Sequence, residues 1–259
     1  MIALGRTWLM ATIVFLYLPI AVMMTMAFNE SALYALPIEP TLRWFEALAS
    51  NDQLLAASRN SLLVAIVTSV VATAVGTLAA IALSRRQFRG RSLLRILLLP
   101  PIAIPWLITG TAMLVFFFWT GIGRGLHAMV IGHVALAIPY VVLIVGTGMQ
   151  SVRRDLEEAA MSLGSTPLHA FVSVTLPLLG PSILAAALFA FAVSLDQFVV
   201  SYFLSTPGVS TLPVEIYSSI RAGFTPEINA ISTIFLAVST LLILIFAQLS
   251  HLGGGRDRG

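Results

Sequence analysis

Cysteine is absent from all 259 residues, and so is lysine. Without cysteine there can be no disulfide and no thiolate metal site, and the redox compartment cannot be read by that route. Without lysine there is no Walker-type phosphate loop, which needs that side chain to reach the β and γ phosphates, so this chain is not by itself a P-loop ATPase. Histidine is scarce: the four are His127, His133, His169 and His251, and no two lie at the i, i+4 spacing that puts two ligands on one helix face. Neither a metal nor any other cofactor is expected on the chain. Charge is scarce as well, at 10% of residues. The net charge of +3 and isoelectric point near 9.8 do not indicate nucleic acid, because the arginines sit in connections between apolar runs rather than on a basic face with interleaved aromatics.

What fills the chain instead is apolar. Hydrophobic residues make up 58% and the mean hydropathy is +0.97, outside the range of a soluble domain. Apolar runs occupy approximately residues 7–28, 61–83, 93–119, 126–150, 181–203 and 229–249. Each is long enough to cross about 30 Å of hydrocarbon as a helix. The expectation is an all-α polytopic membrane protein with six transmembrane helices, one transmembrane domain over 1–259, and both termini on one side. The first run is too long for a signal peptide and lacks a small-residue cleavage site after it, so it reads as an uncleaved helix.

Arginine placement orients these spans. Arg6, Arg85, Arg86, Arg89, Arg91, Arg95, Arg153, Arg154, Arg256 and Arg258 fall on one side, against Arg43, Arg59, Arg124 and Arg221 on the other. The richer side is cytoplasmic by the positive-inside rule. The two long external connections carry patterned stretches, Thr41 to Ala49 and Pro213 to Ala222, that suit short surface helices. Asn51 or Asp52 suits the N-cap of the second span, and Thr225 before Pro226 that of the sixth. Pro100, Pro101 and Pro105 each remove a backbone donor, so the third span should be kinked or broken near its cytoplasmic end, for transport or for structure alone.

The connection of about 151–180 is the long cytoplasmic one and reads as ordered. Asp155 to Leu163 favours a helix with acids in its first turn, and Gly164 supplies a stop. Ser165 or Thr166 then caps a second short helix with Pro167 at its first position, which Pro177 should end. Glu158, Ala159, Ala160, Gly164, Val174, Leu176 and Pro177 stand at spacings that resemble the cytoplasmic loop signature of binding-protein-dependent ABC importer permeases, Glu-Ala-Ala, Gly, Ile, Leu-Pro. Val174 in place of Ile is the departure. Such a loop must seat a short helix in a groove of a separate ATPase: alanines permit close approach, Gly164 permits the turn, and Glu158, with Glu157 beside it, offers charge. The bland alternative is an amphipathic helix pair lying on the membrane surface.

A finer resemblance covers almost the whole chain. Ser194-Leu195-Asp196-Gln197-Phe198-Val199-Val200-Ser201-Tyr202-Phe203, with Leu212-Pro213, Ile216-Tyr217-Ser218 and Thr225 to Ala230, is similar to the second permease subunit of spermidine/putrescine-type importers. In that family Asp-Asp is usual where Asp196-Gln197 stands here, so one carboxylate is missing. The resemblance implies a type I ABC importer permease fold in the bacterial inner membrane with a polyamine substrate. It also implies a second permease subunit, two ATPase subunits that hold ATP and Mg, and an external substrate-binding protein.

Asp196 lies 15 residues beyond Pro181, about 22 Å along a helix and past the membrane midplane. An ionised carboxylate there costs on the order of 2.5–3.5 kcal/mol, so it should face the protein interior or water and have a partner. It could accept a cationic substrate, with Phe198, Tyr202 or Trp119 as cation–π walls. Alternatively it bonds a neighbouring helix of a partner subunit, and the run Phe116 to Trp119 is an interfacial aromatic belt. Rival functions are a related importer for aminoethylphosphonate, an opine-like compound, ferric ion or thiamine, an ion-coupled secondary transporter, and a membrane scaffold. A secondary transporter would be expected to show internal repeats or several intramembrane acids, which this sequence lacks.

Overall fold

The computed structural model describes the backbone of residues 2–31, 36–85, 87–98, 100–223 and 225–254, and side chains for those of them between 5 and 241. Arg86, Arg256 and Arg258, used above for orientation, and the side chains of the last part of the sixth run lie outside the described residues.

The chain groups into two compact units, one of Met1–Ala56 with Glu215–Leu244 and one of Ala57–Val214 with Ile245–Gly259. The first holds α1 (Ile2–Met26), α2 (Arg43–Ala49), most of α12 (Leu212–Ala222) and the described apolar part of α13 (Glu227–Gly254). Both surface helices thus form where their patterning suggests. Nearly the whole circumference of α1 is exposed, including Trp8, Leu9, Met10, Val14, Phe15 and Leu16, which suits lipid or partner helices and not water. The turn after α1 is tied by Asn29: its carbonyl accepts from Trp44 Nε1 at 2.7 Å and its Oδ1 from the Glu39 N–H at 2.9 Å.

In the second unit the body of α3 (Asp52–Arg85) packs with α7 (Leu126–Ser151) and α10 (Leu176–Leu195). Asn51 caps α3, its Oδ1 accepting from the Leu54 N–H at 3.1 Å. Between these helices the buried residues are Ala72, Ala80, Leu83, Ala137, Val141, Val142, Val145, Ala186 and Ala190, mostly small. Small side chains let backbones approach where lipid supplies no hydrophobic drive for association. A methyl placed on Gly76 would meet Val141 Cγ1 at 2.6 Å, and Ser69 Oγ crosses from α3 to donate to the Ala187 carbonyl at 2.7 Å. A second cluster joins Val64, Phe117, Met129, Leu136, Val200 and Leu204 from α3, α6 (Trp106–Trp119), α7 and α11 (Val199–Leu204).

The third run is broken as its prolines require. It consists of α4 (Arg91–Leu97), α5 (Pro100–Ala103) and α6, with a sharp bend before Trp106. Helices Gly5–Met26, Asp52–Arg85, Leu126–Ser151 and Pro167–Leu195 are each long and apolar enough to span, and the bent pair makes a fifth if counted as one. The described apolar stretch of α13, Glu227–Leu241, is shorter, because the rest of the sixth run lies beyond the described side chains. There Thr225 enters through its backbone carbonyl, which accepts from the Ile228 N–H at 3.1 Å.

Two boundaries differ from expectation. Pro177 does not end the short helix α9 (Pro167–Ala170); a π-helical turn, Phe171–Thr175, carries α9 straight into α10. Pro177 offers no N–H to the Ser173 carbonyl and its ring would crowd that carbonyl in a regular helix, and a wider turn, closed by the Leu176 N–H on the Phe171 carbonyl, relieves the conflict. The run expected at 181–203 therefore starts earlier, and it stops at Leu195, with Asp196 to Phe198 breaking it before α11.

Candidate functional site

The segment from Arg153 to Pro177 is built by short-range chemistry. Arg153 is extended and donates through its guanidinium to both carboxylate oxygens of Asp155, holding that exposed carboxyl below its ordinary pKa range. Asp155 and Glu157 occupy the first turn of α8 (Arg154–Ser162), where the helix dipole favours anions. At the other end Gly164 has φ +96°; its N–H bonds the Met161 carbonyl at 3.0 Å and the Ser165 N–H bonds the Ala160 carbonyl at 3.1 Å. That pair of bonds is the Schellman stop, and it needs glycine's access to left-handed backbone. Thr166 then caps α9, its Oγ1 accepting from the His169 N–H at 3.3 Å, with Pro167 at the first position.

No residue of α8 is buried. Glu158 and Ala159 are exposed and Ala160 is half-buried. Around them stand exposed Leu156, Met161, Leu163 and Leu168, the last two at 90% and 73%. So many exposed apolar side chains in one short segment make a surface suited to being covered. Glu157 behaves differently from Glu158: it forms an ion pair with Arg85 at the end of α3, and the two side chains are only 13% and 18% exposed. Arg85 also donates through Nη2 to Thr175 Oγ1 at 3.3 Å, in the π-helical turn. One guanidinium thus ties α3, α8 and the entry to α10 together. Val174 lies in that turn, and Leu176 and Pro177 open α10, exposed.

The second candidate region is the break at Asp196. The Asp196 N–H still bonds the Ala192 carbonyl at 3.1 Å and the Gln197 N–H the Ser194 carbonyl at 3.4 Å, after which the chain turns into α11. Asp196 is exposed and Gln197 is buried, so the two adjacent polar residues point to opposite environments. Both side-chain polar atoms of Gln197 lack a hydrogen-bond partner among the described residues. Phe198 and Tyr202 come together with ring centroids 5.5 Å apart beside the break, whereas Trp119 ends α6 at 81% exposure next to Phe118 at 79%.

Sequence reasoning missed what spans the break. His133, buried in α7, bonds Ser194 Oγ through Nδ1 at 2.8 Å and Ser201 Oγ through Nε2 at 3.0 Å, one serine on each side of Asp196. The signal was available: a histidine inside an apolar run needs partners, and two serines bracket the break. Glycines seat α11 between its neighbours, since a methyl on Gly110 of α6 would meet Phe203 Cδ2 at 2.9 Å and one on Gly132 of α7 would meet Val200 Cγ1 at 3.0 Å.

Residues 72–252 match the family described as binding-protein-dependent transport system inner membrane component. The putrescine transport system permease protein PotI of Escherichia coli (strain K12) is 36% identical over 230 residues, covering 86% of this chain and 82% of that one. The spermidine/putrescine transport system permease protein PotC of the same organism is 33% identical over 235 residues, covering 91% and 89%. In three dimensions the chain is similar to a chain in the crystal structure of a bacterial ABC transporter that imports the acidic polysaccharide alginate. The TM-score is 0.73 at 16% identity, with 99% and 98% of the two chains covered, which is a likeness of fold. An exposed helix–glycine–helix segment between apolar spans, in a chain with these relatives and without ATPase motifs of its own, has one reading: the protein belongs to the binding-protein-dependent inner membrane component family and is a permease subunit of an ABC importer.

Proposed function

We infer that this subunit works in the bacterial inner membrane with both termini in the cytoplasm. It pairs with a second permease subunit, and an external binding protein delivers a polyamine such as putrescine or spermidine. Two ATPase subunits, which hold ATP and Mg, dock on α8 and α9. The exposure of Leu156, Met161, Leu163 and Leu168 in the same segment as exposed Glu158 carries this reading, because apolar side chains with a charge among them suit a groove in another protein. Glu158, Ala159 and Gly164 meet the ATPase or shape the segment that does. Glu157 acts from within, through Arg85, and Leu176 and Pro177 transmit the movement into α10. Membrane lipid covers the exposed face of α1.

The polyamine assignment rests on similarity to permeases named for putrescine and spermidine and on Asp196, an exposed carboxylate at a helix break with Phe198 and Tyr202 beside it. A carboxylate next to aromatic faces suits an alkylammonium group. Trp119, at 81% exposure at the end of α6, serves either as a further wall of the pathway or as part of an interfacial belt. Asp196→Asn should cut uptake of labelled putrescine by about tenfold or more, the scale of one charge-assisted contact, in a complex that still assembles. Wild-type uptake by that variant would remove Asp196 from the pathway.

A further inference from the structure

The break between α10 and α11 contains neither glycine nor proline, so nothing in the local backbone requires it. A run as apolar as this one would otherwise continue as helix, and the shape must be imposed from outside. His133 is placed to impose it. The ring spans the break, bonding Ser194 before it at 2.8 Å and Ser201 after it at 3.0 Å, and all three residues are buried. A neutral imidazole donates from one nitrogen and accepts at the other, and a serine hydroxyl can do either, so both bonds are satisfied at once. Asp196, whose N–H still closes the last turn of α10 on the Ala192 carbonyl, is exposed, and Gln197, the first residue past that turn, is buried.

We propose that His133 is a positioning residue of the translocation pathway, clamping Ser194 and Ser201 so that the break stays open and Asp196 is presented to the passing cation. This rests on the reading of Asp196 given above. The clamp acts through Asp196 and touches no substrate. Ser194→Ala with Ser201→Ala removes the same two bonds while leaving the ring to pack, and serves where His133→Leu disturbs folding.

The chain has no cysteine, so Asp196→Cys places its only thiol at the break. In the assembled transporter, in membrane vesicles, that thiol should react readily with a small cationic thiosulfonate reagent. Adding His133→Leu, or the serine pair, should slow the reaction about tenfold, the factor expected for losing two buried hydrogen bonds that hold one conformation. Equal labelling rates would overturn the clamp. In a second arm, putrescine uptake is measured for His133→Leu, Asp196→Asn and the two combined. Uptake should fall in each single variant, and the double variant should be no worse than Asp196→Asn alone, since one residue acts through the other. Multiplying effects, or normal uptake by His133→Leu beside impaired Asp196→Asn, would overturn the clamp and leave the Asp196 reading standing. Normal uptake by Asp196→Asn would instead overturn that reading, while the labelling rates would still decide whether His133 shapes the break.

Discussion

Glu157 and Glu158 are neighbours with opposite situations. Successive residues on a helix point about 100° apart, so one carboxylate can turn to Arg85 while the next faces outward. The pair with Arg85 is mostly shielded, so its loss falls between the exposed and the buried case. Glu157→Gln should destabilise the solubilised protein by about 1–2 kcal/mol, read as a lower melting temperature. Glu158→Lys should leave melting unchanged and detach the ATPase in a pull-down. If Glu157→Gln alone released the ATPase without a change in melting, the division of roles would be wrong. Gln197 offers a second test: a buried amide with no partner among the described residues costs stability, so Gln197→Leu should raise the melting temperature, by about 1 kcal/mol in stability terms. Sequence reasoning placed both glutamates in the docking segment but could not separate them, because the separating fact is an arginine more than 70 positions away in the chain.

At the scale of elements, what local chemistry governs was legible. The surface helices at Arg43–Ala49 and Leu212–Ala222, the Asn51 and Thr166 caps, the Gly164 stop and the proline break before Trp106 all follow from residue types that act on their own backbone. Where tertiary contact overrides local preference, the reading failed. Pro177 reads as a terminator, yet a π-helical turn absorbs it; the residues around Asp196 read as continuous helix, yet His133 and the seats at Gly110 and Gly132 hold them apart. Two outcomes follow. Gly164→Ala forces a side chain into left-handed backbone at about 1 kcal/mol, and should lower uptake by mis-setting α8 against α9. Pro177→Ala should let the turn relax to regular helix and shift the register between α8 and α10, seen as more ATP hydrolysed per putrescine imported. An unchanged ratio would show that the π-helical turn is not part of the transmission.

For the whole molecule, composition alone pointed to a membrane, since this mean hydropathy lies outside the range of a soluble domain, and the exposed circumference of α1 agrees with it. The proposed orientation rests on ten arginines against four, and predicts that a tag at either terminus is digested by protease only in inside-out vesicles. The substrate was less legible, because in the function proposed here its selection is shared between Asp196 and a separate external binding protein. The central claim is that ATP hydrolysed elsewhere is coupled through α8 and α9 to import of a polyamine. It is tested most directly by reconstituting this subunit with its partner permease, ATPase and binding protein in proteoliposomes and measuring ATP hydrolysis. Putrescine- or spermidine-loaded binding protein should stimulate hydrolysis severalfold, and Glu158→Lys should abolish the stimulation; hydrolysis indifferent to both polyamines, or stimulation that survives Glu158→Lys, would contradict the account.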